Sequence, residues 1–164
     1  MIRAAVLTVS DRSFRKERAD ASGPAVVALL AGLPAAVEQA IVVPDVAAVI
    51  ARALRHCADA LGVDLVVTTG GTGVDPRDVT PEATREVIDR EVPGMAEAMR
   101  AASQKSVPTA MLSRALVGIR GKTLIVNLPG SPGGARDNLA VILPVLPHAI
   151  EKIRGGGGDC APSS

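Results

Sequence analysis

Residues 68–84, TTGGTGVDPRDVTPEAT, combine a glycine-rich run with carboxylates directly behind the apolar residues 65–67. Glycines at 70, 71 and 73 permit left-handed backbone and close approach of a ligand, so that peptide N–H groups can form a concave anion site. Asp78 follows this run and adds a negative side chain beside it. The types and spacing of these residues indicate a loop that holds a phosphate or the edge of a ring.

Standard nucleotide motifs do not fit this loop. A Walker A loop needs Lys-Ser or Lys-Thr after its last glycine, whereas Gly73 is followed by Val74-Asp75. A Rossmann fingerprint beginning at Gly71 would have its third glycine where Pro76 stands. The loop is therefore glycine-rich without a standard dinucleotide signature.

Two aspartates, Asp45 and Asp78, are the candidate chemical groups. Asp45 follows Pro44 and could be only the N-cap of the next helix. Asp78 precedes Thr80-Pro81-Glu82, which predicts a helix with Thr80 as N-cap, so Asp78 could merely be solvated or help to cap that helix. Because both come at predicted strand ends beside a glycine-rich loop, a functional role is also open. Two carboxylates near bound phosphate suggest Mg²⁺, with Asp78 as its ligand.

The apolar pattern predicts an alternation of strands and helices that would position these groups. Strands are predicted at residues 3–9, 37–43, 65–69, 114–119 and 123–127, the last two as a hairpin about Gly121. Helices are predicted from about 24, over 46–61, 81–90 and 94–103, and from about 135, where Pro144 and Pro147 should break the last one. Cys57 falls on the apolar stripe of the second helix and is expected to be buried and inert.

This alternation predicts a three-layer α/β/α fold with a mostly parallel sheet and one antiparallel hairpin. The domain is expected to span residues 1–154, followed by a flexible tail at 155–164. Ligands of open α/β sheets bind outside the carboxyl ends of the strands. Four such ends carry polar or Gly/Pro-rich loops, at Ser10-Asp11, Pro44-Asp45, residues 69–73 and residues 127–131. We expect these loops to form one cleft.

Composition excludes several classes of function. The net charge is +1 and Phe14 is the only aromatic residue, so the basic stripe or stacking platform of a nucleic-acid-binding protein is lacking. Two distant cysteines predict neither a disulfide framework nor a zinc site. No apolar run suggests a membrane span or a signal peptide, so a cytoplasmic protein is expected. Loop 11–19 is rich in Arg and Lys, and it is either solvated or able to swing onto substrate phosphates.

Several motifs occur in the order seen in one known family. They are LTVSDR, SGP at 22–24, VPD at 43–45, TTGGTG with RDVTPEAT, REVPGMAEAMR, LSRA and NLPGSP. Over roughly residues 3–153 the chain resembles the molybdopterin adenylyltransferases of the Mog/MoaB type. The resemblance implies a molybdenum-cofactor-binding-like fold and transfer of AMP from ATP to the terminal phosphate of molybdopterin, with release of pyrophosphate.

The resemblance also implies roles for particular residues. Asp45 and Asp78 match carboxylates that serve catalysis and Mg²⁺ handling. The expected molybdopterin and nucleotide contacts, from the resemblance and the loops above, are Ser10, Asp11, Ser22, Gly23, Thr69, Gly70, Gly71, Thr72, Gly73, Thr80, Asn127, Pro129, Gly130 and Ser131. The resemblance does not assign pterin and nucleotide to particular loops. It further implies a homotrimer that hands its product to a molybdate-insertion enzyme.

Two other functions compete with adenylyl transfer. Some relatives keep the fold without an assigned activity, so a non-catalytic molybdopterin carrier is the first alternative. Molybdate insertion is the second, and it is disfavoured because relatives with that role carry additional domains. The presence of Asp45, Asp78 and the complete RDVTPEAT segment favours the enzyme.

Overall fold

The computed structural model describes residues 1–156, which form a six-stranded sheet between two layers of helices. The strands are β1 (Ile2–Val9), β2 (Ala35–Val43), β3 (Leu65–Thr69), β4 (Arg90–Glu91), β5 (Val117–Arg120) and β6 (Thr123–Leu128). Their order in the sheet is β2-β1-β3-β6-β5-β4. The pairs β2–β1, β1–β3 and β3–β6 are parallel. The pairs β6–β5 and β5–β4 are antiparallel. The predicted tail lies outside the described residues from position 157 onward.

The helices confirm the three-layer prediction. They are α1 (Asp11–Phe14), α2 (Ser22–Leu30), α3 (Ala47–Arg55), α4 (Thr80–Val87), α5 (Pro93–Gln104), α6 (Pro132–Ile142) and α7 (Leu146–Ile153). Buried side chains of α2, α5, α6 and α7 form a core with one face of the sheet, and those of α3 and α4 form a core with the other face. Within residues 1–156, no helix is long and apolar enough to cross a membrane.

The central strands are buried on both faces, which explains their continuous apolar runs. Val6 and Val67 point into the core beneath α2 and α6. Their sequence neighbours Leu7 and Val66 point to the opposite face, into the core beneath α3 and α4. Removing such a side chain from water stabilises the fold by about 1.5–3 kcal/mol. The two apolar layers therefore hold β1, β3 and β6 as the rigid middle of the domain.

Some strands and helices differ in extent from the prediction, for identifiable reasons. The strand predicted at 114–119 begins at Val117, because Arg114 and the residues after it bond to a loop and to Asn127 outside the regular ladder. The two-residue strand β4 was not predicted, since it is too short and charged to show a period. The helix predicted at 46–61 is α3 followed by a π-helical turn, His56–Ala60.

Other local predictions are confirmed. The last helix breaks at Pro144, where the 3₁₀ turn Leu143–Val145 separates α6 from α7. Cys57 is fully buried and its thiol donates a hydrogen bond to Gln39 Oε1 at 3.5 Å. Burial raises the pKa of this thiol to about 11, so the group stays protonated and unreactive near neutral pH.

Candidate active site

The path of the chain opens a crevice on each side of β3. The helix α2, which follows β1 and the short helix α1, lies on one face of the sheet. The helix after β3, α4, lies on the other face, and the helix after β6, α6, returns to the first face. Where neighbouring parallel strands send their helices to opposite faces, a ligand-binding crevice forms at the carboxyl ends. The loop after β3 is therefore shared by two crevices.

The smaller cavity, of about 520 Å³, lies between the loops that follow β1, β2 and β3. Four carboxylates, those of Asp11, Asp20, Asp45 and Asp78, line it. Arginines from the loop after β1 and from the loop before α4 line it as well: Arg12, Arg18 and Arg77. This mixture of carboxylates and guanidinium groups suits a polyphosphate bound together with a cation.

The larger cavity, of about 770 Å³, lies between the loops after β3 and β6, with α5 and the 3₁₀ turn Pro108–Leu112 closing it. Its wall combines neutral hydrogen-bonding groups, such as those of Ser103, Ser113 and Asn138, with the apolar side chains of Val107 and Leu112. A pocket of this kind suits a flat polar heterocycle. The two cavities have four lining residues in common: Gly71, Asp78, Gly130 and Ser131.

Backbone contacts between two glycine loops form the wall between the cavities. Gly70 and Gly71 have φ values of +102° and +67°, which side-chain-bearing residues rarely adopt. A Cβ on Gly130 would lie 3.2 Å from the Gly70 Cα, so the loop after β6 packs directly on the loop after β3. Thr69 strengthens this contact, because its hydroxyl donates a hydrogen bond to the Pro129 carbonyl at 2.7 Å.

The prediction of Thr80 as an N-cap is wrong. Thr80 is the first residue of α4 and is fully buried, and Val79 occupies the cap position without a side-chain hydrogen bond. The Thr80 hydroxyl instead donates to the Gly70 carbonyl at 2.9 Å, and its N–H donates to the Gly71 carbonyl at 3.0 Å. The carbonyls of the turned glycine loop need donors, and Thr80 supplies both, which fixes that loop onto α4.

Asp45 joins two loops and is not a helix cap. Its Oδ2 accepts a hydrogen bond from the Asp11 N–H at 2.7 Å, and the Asp45 N–H donates to Asp11 Oδ1 at 2.9 Å. Val46 stands at the N-cap of α3 and makes no capping bond. Burial raises the pKa of the Asp45 carboxyl, and the nearby charges of Asp11 and Asp78 raise it further. The hydrogen bond from the Asp11 N–H lowers this pKa, but its effect is smaller. The site thus gathers negative charge that a cation would stabilise.

Asp78 stands on the wall that the two cavities share. Its Oδ2 accepts a hydrogen bond from the Asp75 N–H at 3.2 Å, and its own N–H donates to the Asp75 carbonyl at 2.9 Å. Its carboxylate therefore folds back on its own loop and makes no bond to α4 in the described chain. Asp78 is placed where ligands in both cavities would meet.

Comparison with known proteins identifies the family of this chain. The family model described as a probable molybdopterin binding domain matches residues 5–148. The chain belongs to this family.

Individual relatives are similar over nearly their whole length. The chain is 43% identical to the molybdopterin adenylyltransferase of Helicobacter pylori strain J99, over 94% of this chain and 89% of that protein. It is 41% identical to the molybdopterin adenylyltransferase of Escherichia coli K12, over 98% and 90%. The crystal structure of the molybdopterin biosynthesis enzyme MoaB from Thermus thermophilus superposes with a TM-score of 0.90 and 54% identity, covering 94% of this chain and 98% of that one.

Most of the residues predicted for the site meet at the two cavities. The smaller cavity gathers Ser10, Asp11, Ser22, Asp45, Thr69 and Gly70, and the larger one gathers Thr72, Gly73 and Pro129. Three predicted residues do not line either cavity. Asn127 is fully buried, with its amide donating to the Thr68 and Thr84 hydroxyls at 3.0 Å each, while Thr80 and Gly23 lie beneath the loops. Asn127 and Thr80 thus bond to a strand and a loop behind the cavities, and Gly23 bonds to Asp20 in the wall of the smaller one.

Sequence reasoning missed the polar residues that helices and the connecting turn bring to the cavities. Ser103 and Asn138 bond to each other across α5 and α6 at 2.9 Å in the wall of the larger cavity. Asp20 was also missed, although its carboxylate accepts bonds from the Thr8 hydroxyl at 2.7 Å and the Gly23 N–H at 3.0 Å. The sequence did contain one indication. Asn138 is a polar residue at a position that the helical period places on the apolar side of α6.

The carboxylates fit Mg²⁺ that arrives with a phosphate ligand. Within residues 1–156 there is no group of three or more His, Cys, Asp or Glu side chains that could hold a metal by itself. Mg²⁺ is usually held by one or two carboxylates and completed by waters and substrate phosphates. Asp45 and Asp78 provide such a partial set beside the cleft.

Proposed function

We propose that this chain transfers the adenylyl group of ATP to the terminal phosphate of molybdopterin and releases pyrophosphate. The single observation that carries the proposal is the pair of cavities with a shared wall that contains Asp78. Two large ligands can each fill one cavity while their reacting phosphates meet at that wall. The names of the relatives above, which cover nearly the full chain, support the same activity.

The chemistry of each cavity suggests which substrate it holds. We assign ATP to the smaller cavity, because Arg12, Arg18 and Arg77 suit its phosphates and the carboxylates suit the accompanying cation. We assign molybdopterin to the larger cavity, where hydroxyl and amide groups can bond to the edge of the pterin ring between apolar side chains. Arg12 and Arg18 both line this cavity, where their guanidinium groups can reach a ligand.

The reaction requires positioning more than acid–base catalysis. An oxygen of the molybdopterin phosphate attacks the α-phosphorus of ATP, the bond from that phosphorus to the bridging oxygen breaks, and the electron pair leaves with pyrophosphate. A phosphate monoester is already ionised near neutral pH, so no strong general base is needed. The protein must hold two polyanions in line, and such orientation can supply several kcal/mol, about 7–11 in favourable cases.

Backbone groups and carboxylates divide this work. Peptide N–H groups of the loops after β3 and β6 can bind phosphate oxygens at the shared wall. Asp45 and Asp78 would hold Mg²⁺, which offsets the repulsion between the phosphates when it is bound. Asp11 keeps the Asp45 carboxylate in place through the two hydrogen bonds between their loops.

Replacing Asp78 tests this function. We expect the wild-type protein, incubated with molybdopterin, ATP and Mg²⁺, to give adenylylated molybdopterin and pyrophosphate, and Asp78→Asn to lose most turnover while molybdopterin still binds. The matched control is Asp59→Asn, which removes one carboxylate from a side chain that pairs with Arg120 and lines neither cavity. Tight molybdopterin binding with no product from the wild type would support the carrier function instead.

The remaining expectations about the assembly are proposals of the same kind. We propose a homotrimer in the cytoplasm that passes its product to a molybdate-insertion enzyme. An apolar cleft beside the edge strand β2, lined by Val27, Ala28, Ile41 and Val42, offers a surface for a neighbouring copy. Sedimentation velocity at several protein concentrations tests the trimer, and a monomer at all of them would contradict it.

A further inference from the structure

Arg114 contacts the loop that carries Asp78 at several points. Its N–H donates to the Thr72 carbonyl at 2.8 Å, its Nε donates to the Gly73 carbonyl at 2.7 Å and its Nη2 donates to the Asp78 carbonyl at 2.7 Å. Its guanidinium group also pairs with the Glu82 carboxylate in the first turn of α4. One side chain thus spans the loop from its beginning to the helix that follows it.

The loop has few other ties to the rest of the domain. The hydrogen bonds of Asp75, Arg77 and Asp78 to one another are internal to it. Within residues 1–156, Arg114 is the one residue outside segment 73–79 whose side chain hydrogen-bonds to that segment. Thr80 fixes the far end of this segment to the glycine loop, and the position of Asp78 within it depends on the guanidinium group of Arg114.

Arg114 does not line either cavity, so it does not touch a ligand held there. We propose that Arg114 is a positioning residue for adenylyl transfer, which acts by holding the Asp78 loop at the wall between the two cavities. This inference rests on the proposed function and adds to it a residue remote from the substrates. It also explains why an arginine just before β5 points away from the sheet ladder and into the loop.

The fork of an arginine is needed for these contacts. Nε and Nη2 point in fixed directions within one plane and reach two carbonyls while Nη1 faces Glu82. A lysine carries a single ammonium group and cannot serve both carbonyls and the carboxylate in this geometry. We therefore expect Arg114→Lys to rescue activity only in part, although it keeps the charge.

The test compares Arg114→Ala with a matched variant at the far end of β5. Arg120, at the other end of β5, also bonds to one backbone carbonyl, that of Val87 at 2.8 Å, and to one carboxylate, that of Asp59. Arg120→Ala removes the same kinds of bond far from the cavities. We expect kcat to fall by about 100-fold in Arg114→Ala, since displacement of a reacting group by about 1 Å has effects of this size. KM values for ATP and molybdopterin should stay within about threefold, and Arg120→Ala should keep wild-type kcat.

A double variant separates positioning from general stability. If Arg114 acts through Asp78, then Asp78→Asn/Arg114→Ala should turn over no more slowly than Asp78→Asn alone, because the group to be positioned is already lost. Additive losses would overturn the inference, as would wild-type kcat in Arg114→Ala or in Arg114→Lys. Should Arg114→Ala fail to fold, Arg114→Lys carries the same test. Absence of product from the wild type would count against the proposed function itself, whereas these comparisons apply once it is active.

Discussion

The contact between Gly71 and Thr80 leads to a quantitative prediction. Gly71 has a φ of +67°, and a Cβ added there would overlap the Thr80 hydroxyl and lie 3.3 Å from both Asp45 Oδ1 and Val9 Cγ1. Thr80 is fully buried and its hydroxyl is bonded to the Gly70 carbonyl, so it cannot turn aside freely. We therefore expect Gly71→Ala to destabilise the fold and displace the loop.

Gly121 provides the matched control for the size of this effect. Its φ is +55°, and no atom lies within 4 Å of a Cβ added there. Gly121→Ala should cost only the penalty of a left-handed alanine, about 1–2 kcal/mol. Gly71→Ala carries that same penalty and an overpacking term of about 1–3 kcal/mol, for a total of about 2–5 kcal/mol.

Urea unfolding of both variants and the wild type measures these free energies. Turnover should fall in Gly71→Ala, because its loop lies between the cavities, and should be unchanged in Gly121→Ala. If the two variants lose the same free energy of unfolding, then the loop moves to make room for the added methyl group. The contact with Thr80 would then not hold the loop in place. That result would refute the argument that Thr80 holds the glycine loop.

Three further predictions concern charge, burial and substrate. Arg154→Ala should lose about 1 kcal/mol at neutral pH, because the Asp64 carboxylate is nearly buried but the Arg154 guanidinium is largely exposed to solvent, which weakens the pair. Burial would raise the pKa of Asp64, but its bonds to Arg154 and the Arg3 N–H outweigh burial and lower it, so the loss should disappear as the pH falls through this lowered pKa. Asn127→Leu leaves the buried Leu116 N–H without its acceptor and should cost about 1–3 kcal/mol in urea unfolding. Arg18→Ala should raise KM for ATP in steady-state assays, whereas Arg15→Ala, which loses only an exposed pair with Glu17, should not.

Each of the three has a contrary outcome. A stability loss in Arg154→Ala that does not shrink as the pH falls through the lowered pKa of Asp64 would mean that Asp64 is not its source. Wild-type stability of Asn127→Leu would show that the Leu116 N–H finds another partner. An equal change of KM in Arg18→Ala and Arg15→Ala would favour a solvated loop that acts only through its overall charge.

The layer architecture could be predicted from the sequence because the strands that build it are apolar and bounded by glycine and proline. Runs such as residues 65–67 are buried on both faces, so their pattern is strong, and Pro144 marks a real break in the last helices. The short edge strand β4 could not be predicted, since only two charged residues pair there. Its pairing depends on where β5 lies, which is a tertiary fact.

The site was predictable in its loops but not in its supporting bonds. Glycine, aspartate and proline at strand ends identify the loops that meet, because parallel strands bring their carboxyl ends to one edge. Thr80 shows the limit of such reasoning: its type suits a cap, but the nearby glycine carbonyls take its hydroxyl. The bonds from Arg114 join positions more than thirty residues apart, and such contacts leave no local pattern.

The burial of β1, β3 and β6 on both faces has a consequence for how the protein opens. Amides in such strands exchange their hydrogens mainly through global unfolding, whereas edge elements open locally at lower free energy. The loops that meet at the shared wall leave from two of these strands, β3 and β6. Inactivation by denaturant should therefore coincide with loss of the whole sheet, and local fraying at β4, which contributes no residue to either cavity, would leave the cleft intact.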